Sequence, residues 1–139
     1  MASANVEFVR SIFAPWQRGD FSSAEWADPE IEFVLVGGAS EGSWSGLAGM
    51  SEGFREWLSA WEGFRVEADE YRELDDERVL VLLRVSGRGK VSGLQVGQVG
   101  TKGANLFHIR GGKITRLVLH WDRDHALAEL GLAPEADSP

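Results

Sequence analysis

Cysteine is absent from this 139-residue chain. Its absence removes both a disulfide framework and a thiolate nucleophile, and leaves the redox compartment open. Positive charge is scarce: 14 Lys and Arg stand against 22 Asp and Glu, a net charge of −8. An acidic surface repels phosphate backbones and anionic lipid alike, so no nucleic acid is expected and the partners should be neutral or cationic. No apolar run approaches the ~20 residues of a membrane span, so no membrane partner is expected either. No N-terminal stretch joins a basic start to an apolar middle, which makes the cytoplasm the expected location.

What is present is a globular balance, 43% hydrophobic and 26% charged. It fits one domain over residues 1–132 with a core of its own, followed by a flexible polar tail at 133–139. Val6, Val9, Phe13 and Trp16 recur at helical spacing, with Gly19 as the stop. Asp20 then caps an expected short second helix ending near Trp26. A strand is predicted at 31–36, and a Gly/Ser-rich loop at 37–46 carries Trp44. Phe54, Trp57, Leu58 and Trp61 at i, i+3, i+4 and i+7 predict a helix closed by Gly63. Strands at 64–74 and 78–85 form a hairpin around residues 75–77. Six glycines between 86 and 103 predict a looped or bulged stretch around a short strand at 94–99. A final short helix runs to Leu130.

The last third is the most legible part. Gly111-Gly112 separates two β-rich runs and suits a two-residue type I′ turn, since both central residues need φ > 0. If Arg110 pairs with Lys113, then Leu106, His108, Leu117, Leu119 and Trp121 share one face of the hairpin. Phe107, Ile109, Ile114, Val118 and His120 share the other. Both faces are largely apolar, so the sheet must be covered twice, by helices on one side and by a second subunit on the other. The order of elements describes an α+β fold: helices packed on one face of a curved, mostly antiparallel sheet.

Several motifs sit at suggestive places in that layout: Gly19-Asp20, Trp26-Ala27-Asp28, 78–82, 87–93, Gly112-Lys113-Ile114, and Trp121-Asp122-Arg123 followed by Ala126-Leu127 and Gly131-Leu132. With them the chain resembles the SnoaL-like branch of the nuclear transport factor 2-like superfamily over nearly its whole length. The resemblance implies a cone-shaped sheet wrapped around a hydrophobic pocket, roofed by helices, and a homodimer through the outer sheet face. Relatives include polyketide cyclases, ketosteroid isomerases, epoxide hydrolases and dehydratases. Phe33-Val34-Leu35 stands where ketosteroid isomerases carry an acidic base, and Arg84 is followed by Val85-Ser86 rather than by an epoxide-hydrolase Arg-x-Asp motif. Neither mechanism carries over.

Six tryptophans, each able to bury ~150–250 Å², point to an aromatic pocket for a small neutral hydrophobic molecule. The expected lining is Trp16, Trp26, Trp44, Phe54, Trp57, Trp61, Tyr71, Leu117, Leu119 and Trp121, with Arg84 or Asn105 as polar anchors. The competing reading is ordinary core and interface. His108 is the expected proton carrier, because a neutral imidazole on an apolar face can act as base near neutral pH. Its parity depends on the turn: a change of one residue would turn His108 outward and Asn105 and Phe107 inward. Asp122 is the second candidate, near where some cyclases of this family carry an acidic base. Its alternative role is capping the helix that follows. Glu67, Asp69 and Tyr71 alternate along one strand face, which reads as a solvated row. His120, Asp122, Asp124 and His125 lack the histidine spacing of a metal site, so no metal and no cofactor is expected. The function expected is cofactor-free acid/base isomerisation, cyclisation or dehydration. The alternative is a non-catalytic ligand-binding module or dimerisation scaffold.

Overall fold

The computed structural model describes residues 3–37, 41–59, 61–91, 94–95 and 99–132, with the backbone alone at 61–63, 88–91, 94–95 and 99–101. The expected tail at 133–139 lies outside the described residues. Three helices and seven strands follow in the order α1 (Ala4–Gln17), β1 (Ala27–Val36), β2 (Gly42–Ser45), α2 (Gly46–Ser59), β3 (Trp61–Asp75), β4 (Arg78–Val91), β5 (Leu94–Gln95), β6 (Val99–Arg110), β7 (Lys113–His120) and α3 (Arg123–Glu129). Six strands form one curved mixed sheet in the order β2-β1-β7-β6-β4-β3, and β5 pairs with β4. β1 runs parallel to β7, and the other pairings are antiparallel. The fold class is the expected α+β.

α1 starts where Ser3 accepts a hydrogen bond from the amide of Val6, and it buries Val6, Val9, Ile12, Phe13 and Trp16. These meet Phe33, Val79, Val81, Phe107, Leu117 and Leu119 on the inner face of the sheet. α2 joins the same core through Met50 and Phe54. Gly53 makes that approach possible, because a Cβ there would fall 2.8 Å from the Phe33 ring and 2.9 Å from Trp44. α3 covers the opposite face, where Ala126 and Leu127 pack on Leu80, Leu82, Ala104, Leu106 and Val118.

Four elements differ from the sequence reading. No helix forms after Asp20. Its carboxylate instead accepts from the amide and hydroxyl of Ser22, the local bonding by which Asp and Ser compete with helix. Trp61 begins β3 rather than ending α2. Trp44 lies on the short strand β2, not in a loop. Within the glycine-rich stretch, expected to loop, β4 continues to Val91 and β6 starts at Val99, while β5 at Leu94–Gln95 matches the start of the expected short strand.

The most consequential difference lies in the last hairpin. The turn is as expected, with Gly111 at φ 59° and Gly112 at φ 74°, and Arg110 pairs with Lys113. Ile109 pairs with Ile114, but His108 pairs with Arg116. Thr115 is therefore an extra residue, a β-bulge that shifts the alternation along β7. Leu117, Leu119 and Trp121 join Asn105 and Phe107 on the inner side, while Leu106 and His108 share the outer face with Val118 and His120.

Candidate functional site

An aromatic cavity lies between the inner face of the sheet, α1 and α2. Trp16, Phe21, Trp57, Phe64 and Trp121 supply its rings; Leu35, Val66, Leu83, Val85 and Leu119 supply aliphatic walls. Asn105 also lines it. The cavity is narrow, with about 20 Å³ open to the centre of a water-sized sphere, room for about one water. The rings form a continuous array: Trp16 touches Phe13, Phe21, Trp26, Phe54 and Phe107 at centroid distances of 5.4 to 6.0 Å.

Asn105 is only 6% exposed. Its side-chain amide keeps some accessible surface where it borders the cavity, and no protein group among the described residues bonds to it. Asn105 is thus the polar feature of an otherwise apolar space. No described lining residue presents an ionisable side chain to the cavity. His120 borders it, but its ring lies on the outer side, 6.3 Å from the His125 ring and with Nδ1 3.8 Å from Glu129.

Among the expected lining residues, Trp16, Trp57, Asn105, Leu119 and Trp121 meet at this cavity. Others serve the core behind it. Phe54 stacks on Phe33 at 4.6 Å, Trp44 packs on Phe33 at 6.0 Å, and Leu117 is fully buried. Trp26 donates its indole N–H to the carbonyl of Ser23 and meets Trp16 edge-on. The side chain of Trp61 lies outside the described residues. Tyr71 packs edge-on against Phe13 beneath the Arg10 guanidinium, away from the cavity, and burial raises its phenol pKa. A bulge at Asp69 separates it from the expected polar row. Arg84 is exposed on the outer face and holds Asp69 at 2.9 Å.

His108 does not face the cavity. The Thr115 bulge puts it on the outer face between its cross-strand neighbours Arg78 and Arg116. Burial and these two cations lower its pKa, and its Nε2 is buried without a partner among the described residues. Asp122 caps α3, accepting from the amides of Asp124 at 3.0 Å and His125 at 3.4 Å, and it is absent from the cavity lining.

Phe21, Phe64, Val66, Leu83 and Val85 went unrecognised as cavity residues. Alternation along β3 marks Phe64 and Val66 as inward, whereas Phe21 stood in a stretch read as helix. Arg123 was also missed as an anchor. Its side chain is 4% exposed and donates to the carbonyls of Leu83 and Gly103, at 2.7 and 3.3 Å, and to Asp69 at 2.8 Å. Burial pushes the Asp69 pKa up, but hydrogen bonds from Arg123 and Arg84 outweigh it and hold the carboxyl below its ordinary value. Arg123 so ties α3 and the bulge in β3 to two strands of the cavity wall.

A family model for the SnoaL-like domain matches residues 9–117. No curated protein matches the chain. Among solved structures, TerC co-crystallized with polyporic acid is similar at 23% identity and a TM-score of 0.70, covering 94% of this chain and 98% of that one. An NTF2-like protein of unknown function from Burkholderia pseudomallei gives 20% identity and a TM-score of 0.74, over 91% and 97% of the two chains. A protein of unknown function with a cystatin-like fold from Xanthomonas campestris gives 21% identity and a TM-score of 0.71, over 87% and 100%.

Proposed function

Because the chain belongs to the SnoaL-like domain family, we propose that its aromatic cavity binds a small, neutral, planar hydrophobic molecule, with Asn105 as the polar anchor. The carrying observation is the Asn105 amide, nearly buried, at the wall of an otherwise apolar space. A ligand carbonyl or hydroxyl would give it a hydrogen-bond partner inside a space of low polarity. The described lining offers no charged side chain to compensate a charged ligand, which supports a neutral one. Small organic ligands suit this fold, since the similar protein TerC was crystallized with polyporic acid.

Binding is favoured here over proton transfer. His108 is turned to the outer face and Asp122 is occupied by two helix amides, so neither is proposed as a base for a molecule in the cavity. The narrow space implies that wall side chains move apart when ligand enters, and the observed affinity is reduced by the fraction of molecules in the widened state. Two copies of the chain are also proposed to pair through the outer face, where Arg78, His108, Arg116 and Glu32 form a charged row across β4, β6, β7 and β1. Light scattering behind a sizing column checks that pairing.

Isothermal titration with 1-naphthol, a flat neutral ring system with one hydroxyl, tests the pocket. The wild-type chain should bind it, and Asn105→Leu should weaken binding about tenfold, the equivalent of ~1.4 kcal/mol. Absence of binding up to the solubility of the probe, or equal affinity in the variant, would overturn the assignment.

A further inference from the structure

We propose that the groove between α2 and residues 20–24 is an outer subsite through which the apolar ligand enters, and that Phe21 is the movable partition between this subsite and the cavity. The inference rests on the cavity being the ligand's destination, as argued above. A space open to about 20 Å³ admits no organic molecule until some wall residue moves. Phe21 is the wall residue that also borders the groove, an open space of about 510 Å³.

The groove has the chemistry of a receiving surface. Met50, Phe54 and Leu58 floor it, and Leu47, 40% exposed, is the exposed large hydrophobic residue among those described. Serine hydroxyls rim it, so a flat apolar molecule with one polar group meets both kinds of surface.

Phe21 is also the wall residue whose backbone is least tied down. Residues 20–24 belong to no helix or strand. Gly19 precedes them at φ 84°. Among the described residues, the hydrogen bonds holding 21–24 are local: Ser22 to Asp20, the Trp26 indole to Ser23, and the Ala27 amide to Ala24. Trp57 and Trp16, by contrast, project from helices. The half-buried Phe21 ring rests on Trp16 at 5.8 Å and on Phe54 and Phe64 at 6.1 Å. Swinging it out breaks only ring contacts and joins the two spaces.

The cysteine-free sequence makes a clean test available. Asn105→Cys places a single thiol inside the cavity, and N-ethylmaleimide labelling reports access to it. Adding Phe21→Ala should speed labelling at least about tenfold, and adding Phe21→Trp should slow it. Val79→Cys, at a fully buried position bordering neither space, reports global opening in a parallel series. Unchanged labelling at position 105, or equal acceleration at 79 and 105, would sink the partition. Labelling that follows Phe21 while 1-naphthol fails to bind would leave the route standing and remove the pocket assignment instead.

Discussion

Along β4 and β6, neighbouring residues meet very different surroundings. Leu82 and Ala104 point outward and are sealed beneath α3, with no exposure. Leu83 and Asn105, one residue further along, point inward to a gap lined by rings. Titratable groups gather on the sealed side, in the Arg123–Asp69 ion pair and the histidines at 108 and 120, whose pKa burial lowers. The gap has a lone amide. One face is closed over by a helix, with His108 Nε2 and His120 Nδ1 buried there, whereas the other keeps room beside an amide, the mark of a surface that can receive a ligand.

Arg123→Met should break that contrast most severely. It leaves two carbonyls without their buried donor while Asp69 keeps Arg84, and the expected loss is about 3 to 5 kcal/mol in urea denaturation, from two unsatisfied carbonyls. The Arg123–Asp69 pair gives an acid limb. The Asp69 carboxyl titrates lower in the folded chain than its ordinary 3.8, so its contribution is present above that value and disappears as pH falls through the folded pKa. Asp69→Asn should flatten this limb.

Next in size is a matched pair. Leu82→Ala on the sealed face should cost about 3 kcal/mol, and Leu83→Ala beside the existing gap closer to about 2, because the ring array can relax into the space. Equal losses would mean that the inner face is as rigidly filled as the outer. Asp122→Ala should cost about 1 kcal/mol, the value of an N-cap, and leave 1-naphthol affinity unchanged; a lost affinity would restore Asp122 to the site. The smallest effect concerns pH. Burial lowers the His120 pKa in the folded chain, so the unfolded chain binds its proton first, and stability should decline as pH falls below about 6.5. His120→Phe should reduce that slope between about pH 6.5 and 5.

The fold was readable because its signals are local. Paired glycines at 111 and 112, helical spacing from Val6 to Trp16, and the Asp122 cap each act within a few residues. The site was readable in kind but less so in membership. Thr115 looks like any good strand residue, and nothing beside it announces a bulge, yet it decides that Asn105 and not His108 meets the cavity. Trp61 continued a helical period that ended at Ser59, since periodicity cannot show where the chain turns into a strand. Arg123 hid behind the cap, because its carbonyl partners at positions 83 and 103 are distant in sequence and meet it only once β4 and β6 are paired.

Trp16 touches rings from both helices, the 20–24 segment and the sheet, and meets Trp26 nearly at right angles, at 73°. Indoles fixed at such an angle in chiral surroundings give rise to near-ultraviolet dichroism that depends on their mutual orientation. Loss of that band while the far-ultraviolet signal of the helices persists would announce a loosened interior in an otherwise compact chain. The molecule thus carries its own optical gauge of whether the two helices still grip the sheet.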